Sequence, residues 1–269
     1  MKRIEELALG GGAGRGAFQF AFVRTLVENG YRFEHISGTS AGAVNAYLIG
    51  AELYETGEYI WKEEVPRLIG RLEKIGAAFR GIAQSESLFS NVRIWDLLQR
   101  FVFLDKLSIP ITVYTVDSQG DVIGWDSRQF TNEDQFRKAI MGAAAIPGIF
   151  PAVDYVYALG GDHEWLVDAG IKAAVPPPQY PGQKRLVVTT KNDIEEPEPF
   201  NGGSWLQNFL RAFDEMLAEI ARNDLQESDE VVNPITKLPP AFDFSAESVL
   251  LSYQIGVEQA LNYIQKRPD

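Results

Sequence analysis

The sequence predicts an α/β fold whose central sheet is mostly parallel. Two apolar runs, Leu7–Leu9 and Tyr31–Ser37, have the composition of buried strands, and each leads through a glycine-bearing turn into a helical pattern. Helices that connect successive strands in this way build parallel sheets. A chain of 269 residues can bury one large core, and no clean linker divides it, so we expect one domain over 1–269.

The elements of the first half follow this order. The first helix covers Ala17–Glu28 and ends at Asn29–Gly30, a pair suited to a helix C-cap. The second strand enters the turn Gly38–Gly42, and the helix after it reaches about Tyr54. From 58 to 103 the apolar residues keep helical spacing, which allows either a plain scaffold or a cap over the carboxyl edge of the sheet.

The second half adds strands and ends in two helices. Ile109–Asp117 is rich in β-branched residues, and Val122–Trp125 follows it as the second arm of a hairpin. Thr131 is the predicted N-cap of a helix through Ala145, with Asp134 in the capping-box position. The remaining elements are a strand pair (Ala152–Leu159 and Trp165–Asp168), a buried strand (Leu186–Thr190) and two helices within 204–267 (Trp205–Asn223 and Ser245–Lys266).

The composition excludes several classes of protein. Without cysteine there is no disulfide framework, thiol nucleophile or cysteine-bound metal, and two histidines make an ordinary zinc site improbable, so we predict neither metal nor cofactor. A net charge of −12 disfavours nucleic acid as a partner and electrostatic docking on anionic lipid. The charged N-terminus and the lack of a long apolar run predict a cytoplasmic protein that meets membranes only peripherally, through apolar side chains, with export by a route that needs no cleaved signal left open.

The stretch Gly38-Thr39-Ser40-Ala41-Gly42 has the pattern of a nucleophile elbow. The flanking glycines permit a sharp turn between strand and helix, and that turn lifts the serine hydroxyl above the sheet edge. The next amide, that of Ala41, can donate to a developing oxyanion. The sequence therefore predicts a serine nucleophile at Ser40.

A serine nucleophile needs a base within hydrogen-bond reach, and three residues are candidates. His35 lies inside the strand before the elbow, too low in the sheet to reach Ser40, and His163 lies in a polar turn typical of a hairpin. Asp168 ends an apolar strand and is followed by Ala169-Gly170, so its carboxylate lies at a sheet edge. It either initiates a turn or accepts the Ser40 proton directly, which requires an environment that raises its basicity.

The loop Gly10–Gly16 offers several amides near the positive end of the following helix, where they can hold an oxyanion. Glycine-rich loops of this kind also bind dinucleotides. In those folds an acidic residue closes the second strand, whereas here Ser37-Gly38 follow and the strand enters the serine turn. The pattern therefore favours acyl transfer over nucleotide binding.

Five motifs, in this order along the chain, resemble those of patatin-like phospholipases. They are the glycine loop ending in Arg15-Gly16, the elbow Gly38–Gly42, the strand and turn Ile109–Gly120, the segment Ala143–Pro151, and Asp168-Ala169-Gly170. The resemblance covers roughly residues 7–190. It implies a three-layer α/β/α fold and a Ser–Asp dyad without histidine, formed here by Ser40 and Asp168.

The resemblance also implies which residues support this dyad. The amides that hold the oxyanion would come from Gly11, Gly12, Ala13, Gly14 and Ala41, and the residues that shape the loop, the elbow and the dyad would be Arg15, Gly16, Gly38, Gly42 and Gly170. The chain departs from the family in three places, and one of them is Asp168-Ala169-Gly170, where the family often has Asp-Gly-Gly. The third glycine of the family's loop falls on Ala13, or the loop is one residue longer, and Ala173-Ala174 stand before Val175-Pro176 where the family frequently has an asparagine.

The predicted function is hydrolysis of fatty-acyl esters, as a phospholipase A or lysophospholipase, through an acyl-enzyme and without a metal. The expected partner is a phospholipid or another acyl ester. The alternatives are a soluble esterase of small esters or thioesters with the same dyad, and a non-catalytic lipid-binding protein on the same fold. An apolar stripe within Trp205–Ile220 is either core packing or an exposed lid or membrane-facing helix.

Overall fold

The structure is a computed structural model, and it describes residues 2–69, 91–180, 182–191 and 205–267, with side chains from residue 210 onward in the last range. Within these ranges the strands are β1 (Lys2–Leu9), β2 (Tyr31–Thr39), β3 (Ile111–Val116), β4 (Val122–Asp126), β5 (Val153–Ala158), β6 (Gly161–Asp168), β7 (Arg185–Val188) and β8 (Glu230–Val232). They form one sheet in the order β5–β6–β3–β2–β1–β7–β8, and β4 also pairs with β3.

The described helices lie on both faces of this sheet. They are α1 (Gly16–Glu28), α2 (Ala41–Gly50), α3 (Tyr54–Tyr59), α4 (Val65–Leu68), α5 (Val92–Phe101), α6 (Glu133–Ala143), α7 (Trp205–Asp224) and α8 (Ala246–Gln265), and a π-helical turn at Ile60–Glu64 joins α3 to α4. None of them is long and apolar enough to cross a bilayer.

The predicted α/β class is confirmed, and the sheet is parallel only in part. From β3 through β2, β1 and β7 to β8 each pair is parallel, because helices or long connections return the chain to the same edge. The pairs β3–β4, β3–β6 and β5–β6 are antiparallel. The sheet is therefore mixed, with a parallel centre and an antiparallel end.

Side chains alternate between the two faces of the sheet. Leu7 and Leu9 of β1 point into a large core shared with α1, α2, α6 and α8. Ala8 of the same strand points the other way and packs with Val187 against Ala221 of α7. The sheet is thus covered on both faces, as a three-layer α/β/α fold requires.

Three local differences from the predicted elements have physical causes. β1 begins at Lys2, because it pairs with β2 over its whole length although its first residues are polar. β8 is a three-residue edge strand, too short to leave a periodic pattern. The N-cap of α6 is Asn132 and not Thr131, since the Asn132 side chain accepts a hydrogen bond from the Gln135 amide at 3.1 Å.

The predicted helical region 58–103 is described only at its two ends. The chain is helical up to Leu68 and again over Val92–Phe101, while 70–90 lie outside the described residues. The acidic loop predicted at 192–204 also lies outside them.

Candidate active site

Ser40 occupies the turn between β2 and α2, with φ 57° and ψ −128°. A positive φ is unusual for a residue with a Cβ and marks a sharp turn of the nucleophile-elbow kind. A Cβ on Gly42 would lie 2.1 Å from the Leu9 carbonyl oxygen, and a Cβ on Gly38 would lie 2.2 Å from the Gly42 carbonyl oxygen. Both positions need glycine because neighbouring backbone fills the space of a side chain.

Asp168 ends β6 beside β3, at the same edge of the sheet as Ser40. Thr115 of β3 pairs with Asp168. Its neighbour Tyr114 pairs with Thr39, the residue before Ser40. Asp168 is 3% exposed, its carboxylate accepts a hydrogen bond from the Gly170 amide at 2.8 Å, and it lies close enough to the Ser40 hydroxyl for that group to lower its pKa. The structure therefore places the two predicted dyad residues beside each other in the cleft that both of them line.

Burial raises the pKa of Asp168 from 3.8 to about 7, and the hydrogen bonds from Ser40 and Gly170 only partly oppose this effect. A carboxylate with a pKa near neutrality is a stronger base than an ordinary aspartate. It is therefore suited to take a proton from a serine hydroxyl at neutral pH.

If Asp168 acts as the base, kcat/KM should fall about tenfold per pH unit below about pH 7 and level off above it. The cause is protonation of the carboxylate, which then has no site for the Ser40 proton. The profile can be measured on an uncharged short-chain ester between about pH 5 and pH 9, with product quantified by chromatography. A level profile down to about pH 5 would mean that the base titrates like an ordinary aspartate.

The glycine loop lies beside Ser40, and hydrogen bonds from two of its amides hold it in place. The Gly11 amide donates to the Ala174 carbonyl at 2.8 Å, and the Gly14 amide donates to the Ala241 carbonyl at 2.8 Å. In this arrangement neither amide is available to an oxyanion. The five candidate donors are thereby reduced to three.

Those three amides belong to Gly12, Ala13 and Ala41, and none of them has a hydrogen-bond acceptor among the described residues. Gly12 and Ala13 line the cleft beside Ser40, and Ala41 follows Ser40 directly in the chain. A Cβ built on the adjoining Gly11 would lie 3.3 Å from the Ser40 Cβ, so the loop passes close to the serine. Unpaired amides so close to a nucleophile have the arrangement of an oxyanion hole.

A cleft with about 620 Å³ of space, part of it open solvent, lies over Ser40 and Asp168. Its lining is largely apolar and includes Ile146, Ile171, Val175, Phe213, Leu217 and Phe242. Polar groups enter at the glycine loop and at Thr189–Lys191, which follow β7. Such a cleft suits a ligand with a long apolar part and a single polar centre.

The elbow, the carboxylate and the glycine loop match a known family in the same order along the chain. The family model described as "Patatin-like phospholipase" matches residues 7–179. The chain belongs to this family.

Curated relatives carry the family's NTE label. Uncharacterized NTE family proteins of Mycobacterium bovis and of two strains of Mycobacterium tuberculosis are each 27% identical over 213 residues. The match covers 77% of this chain and 55% of each relative, so this patatin-like chain spans about half the length of the curated relatives it matches.

Two solved bacterial structures are also similar. VipD from Legionella pneumophila aligns with a TM-score of 0.49 at 13% identity, covering 98% of this chain and 67% of VipD. The ExoU–SpcU complex from the type III secretion system of Pseudomonas aeruginosa aligns with a TM-score of 0.40 at 15% identity, covering 98% of this chain and 52% of that one.

The sequence predicted that the family's third glycine falls on Ala13 or that the loop is one residue longer, and the structure gives Ala13 a left-handed backbone, with φ 48°. Glycine adopts this conformation freely, whereas alanine is strained in it by about 1 kcal/mol. The backbone at Ala13 therefore favours glycine, the residue that the family has if its third glycine falls there.

The other motif residues have identifiable structural roles. Arg15 is buried, donates from Nε to the Pro239 carbonyl at 2.7 Å, and lies 3.4 Å from the Asp214 carboxylate. A Cβ on Gly16 would lie 2.5 Å from the Trp61 ring, so α1 and the region after α3 pack too closely for a side chain there. These contacts hold the start of α1, and with it the glycine loop, in position.

Neither histidine is near the dyad. His35 is buried in β2, where its Nε2 lies 3.0 Å from the Thr112 hydroxyl, and burial lowers its pKa to about 4. His163 makes a 2.9 Å contact with the Asp117 carboxylate and does not line the cleft. Neither histidine therefore lines the cleft that holds Ser40.

Sequence reasoning missed the residues that hold the glycine loop from behind. The Thr190 hydroxyl donates to the Gly11 carbonyl at 2.8 Å, and the segment 239–241 supplies acceptors to Arg15 and Gly14. These contacts join residues more than 170 positions apart, so no local sequence signal announces them. The part from 180 onward also lies beyond the family match.

Proposed function

We propose that this patatin-like protein is a serine lipid acyl hydrolase of the phospholipase A or lysophospholipase type. The observation that carries the proposal is the position of the Ser40 hydroxyl beside the buried Asp168 carboxylate, in a largely apolar cleft that both residues line. A serine paired with a base of pKa near 7 can be activated without histidine.

In the first half-reaction the Ser40 oxygen attacks the ester carbonyl carbon while Asp168 takes its proton. The carbonyl oxygen becomes an oxyanion, which accepts hydrogen bonds from the amides of Gly12, Ala13 and Ala41. When the tetrahedral intermediate collapses, the bond to the alcohol breaks and the leaving oxygen takes the proton back from Asp168. The products of this step are a lysolipid or glycerol derivative and an acyl-Ser40 ester.

In the second half-reaction a water molecule attacks the acyl-Ser40 carbonyl and Asp168 accepts the water's proton. The same three amides hold the second oxyanion. Collapse breaks the bond to the Ser40 oxygen, which recovers its proton from Asp168, and the fatty acid leaves. Each half-reaction returns the dyad to its starting protonation state.

The lining of the cleft supports an acyl ester of a lipid as substrate. Apart from the glycine loop and the Thr189–Lys191 strand end, the walls are mainly aliphatic and aromatic. Burying each methylene of an acyl chain against such walls contributes about 0.8 kcal/mol. A small ester would use only a fraction of that surface.

The direct test is release of fatty acid from phosphatidylcholine and lysophosphatidylcholine vesicles by the purified protein, compared with Ser40→Ala. We expect turnover by the wild type, none by the variant, and labelling of Ser40 by a fluorophosphonate probe only in the wild type. A chelator should leave the wild-type rate unchanged, because no step of the mechanism requires a metal.

Three other outcomes would each redirect the proposal. Activity on short esters or thioesters but not on dispersed lipid would identify a small-ester esterase with the same dyad. Turnover that survives Ser40→Ala in a clean preparation would remove Ser40 as the nucleophile. No turnover and no labelling, with lipid still bound, would identify a non-catalytic lipid-binding protein.

A further inference from the structure

The cleft has two walls of different origin. One wall comes from residues within the family match, such as Ile146, Ile171 and Val175, and the facing wall comes from α7. The α7 residues that line it are Phe213, Asp214, Leu217, Ala218 and Ala221. The second wall therefore belongs to a part of the chain that the family model does not cover.

The lining side of α7 runs along the cleft past the dyad. Phe213, Leu217 and Ala221 are spaced four residues apart and so lie on one face, which spans about 12 Å from first to last. The Leu217 side chain comes within 3.5 Å of the position of a Cβ on Gly170, so it lies beside Asp168. Phe213 is therefore on one side of the dyad and Ala221 on the other.

The two ends of this face differ in chemistry. At the Phe213 end the lining includes the polar Asp214, which pairs with Arg15, and Lys191, whose Nζ donates to the Asp214 carbonyl at 3.1 Å. At the Ala221 end the cleft-lining side chains of α7 are apolar. Phe213 itself packs with Ile146 and Phe242, so the Phe213 end is apolar apart from Asp214 and Lys191. The polar part of a lipid ester fits beside those two residues, and the acyl chain fits the Ala221 end, where α7 contributes only apolar side chains.

Among the described residues, no α7 residue beyond Ala221 lines the cleft. Ala221 packs against the cluster of Ala8, Val175 and Val187, and one turn further on the Asp224 carboxylate accepts a hydrogen bond from the Val175 amide at 3.0 Å. Ala218 also lines the cleft, and its small side chain leaves space that a larger side chain would fill. A cleft whose lining ends beside Ala221 limits the length of the acyl chain that it accepts.

We propose that Ala218 and Ala221 of α7 form the acyl-chain site and set the longest fatty-acyl chain that the protein hydrolyses. This inference rests on the proposed function, because it needs the dyad to act on an acyl ester. It adds that chain-length selectivity resides in α7, outside the residues shared with the family model.

The test compares wild type with Ala221→Leu, Ala218→Leu and the matched control Ala212→Leu, whose site is exposed on the same helix and does not line the cleft. Initial rates are measured on p-nitrophenyl esters of about four to about sixteen carbons. Leucine adds three carbons, so the ratio of long-chain to short-chain rate should fall at least about tenfold in the two cleft variants and stay at the wild-type value in the control.

Equal loss at every chain length, or an unchanged ratio, would overturn the assignment, since either result leaves α7 no part in chain selection. Ala221→Val, which adds two carbons, guards against a variant that fails to fold, and should give a smaller shift in the same direction. If the wild type hydrolyses none of the esters, the proposed function fails, and displacement of a fluorescent fatty acid then tests the site alone. Weaker fatty-acid binding by Ala221→Leu than by Ala212→Leu would support the site, and equal binding would overturn it.

Discussion

Asp168→Asn is expected to lose its activity and, at neutral and alkaline pH, to become more stable than the wild type. Asparagine keeps an acceptor for the Gly170 amide, which lies 2.8 Å from the Asp168 carboxylate, and its amide can still bond to Ser40. It cannot take the serine proton, so we expect a loss in kcat of at least about 10²–10⁴-fold. The rate on a short-chain ester measures this effect.

The stability gain follows from the raised pKa. Burial lifts the pKa of Asp168 from 3.8 in the unfolded chain to about 7, so the folded protein binds more protons than the unfolded chain between these values. The stability that the neutral carboxyl contributes is complete below about pH 4 and is lost as the pH rises through 7. Above that, the buried charge costs on the order of 4 kcal/mol, which asparagine avoids.

Thermal melts at about pH 4 and pH 8 separate this effect from a general change in stability. The Tm of Asp168→Asn should exceed that of the wild type by several degrees at the higher pH and by much less at the lower one. Asp121→Asn, a change at an exposed site outside the cleft, is the control and should match the wild type in rate and Tm. A Tm difference between Asp168→Asn and the wild type that does not depend on pH would show that Asp168 is not the titrating group.

Gly12→Ala is expected to lower kcat by about 10²–10³-fold, the usual effect of losing one oxyanion donor. A Cβ at this position would lie 2.3 Å from the Thr190 Oγ1 and 2.5 Å from its Cγ2. The loop must therefore shift away from Thr190, and this moves the Gly12 and Ala13 amides from their places beside Ser40. The shift should affect kcat more than KM, because the oxyanion forms only in the transition state.

The clash itself can be tested by removing its other partner. The double variant Gly12→Ala, Thr190→Gly should be faster than Gly12→Ala alone, whereas Thr190→Gly alone should be slower than the wild type because it loses the hydrogen bond to the Gly11 carbonyl. Gly160→Ala is a neutral control, since the nearest atom to its Cβ would be 3.4 Å away. If Gly12→Ala kept the wild-type kcat, the Gly12 and Ala13 amides would not be the oxyanion donors.

Local patterns predicted much of this protein. The elbow could be predicted from the sequence because a Cβ on Gly38 or on Gly42 would lie less than 2.3 Å from backbone atoms. Only glycine fits at these two positions, so the pattern reflects a steric requirement within one turn. The hairpins β3–β4 and β5–β6 and the helix α6 were predictable for the same reason, since short-range periodicity and turn residues specify them. The one-residue error at Asn132 reflects a choice between adjacent capping residues that only backbone geometry resolves.

Other features depend on contacts distant in sequence. The sequence offered five amides for the oxyanion, and the choice among them depends on carbonyls of Ala174 and Ala241, which take the amides of Gly11 and Gly14. The sequence did not decide whether the apolar stripe of α7 is core packing or an exposed lid or membrane-facing helix. Side chains described from residue 210 onward place Phe213, Leu217 and Ala221 along the cleft.

The sequence by itself determined the α/β class and the serine turn, because both follow from short-range spacing, and it favoured Asp168 among three candidate bases. Only the tertiary structure decided that Ser40 and Asp168 lie side by side, that burial raises the Asp168 pKa to about 7, and that the amides of Gly12, Ala13 and Ala41 have no hydrogen-bond acceptor among the described residues. Those properties arise from burial and hydrogen bonding between segments more than a hundred residues apart, and physical proximity of that kind has no local signature in a chain.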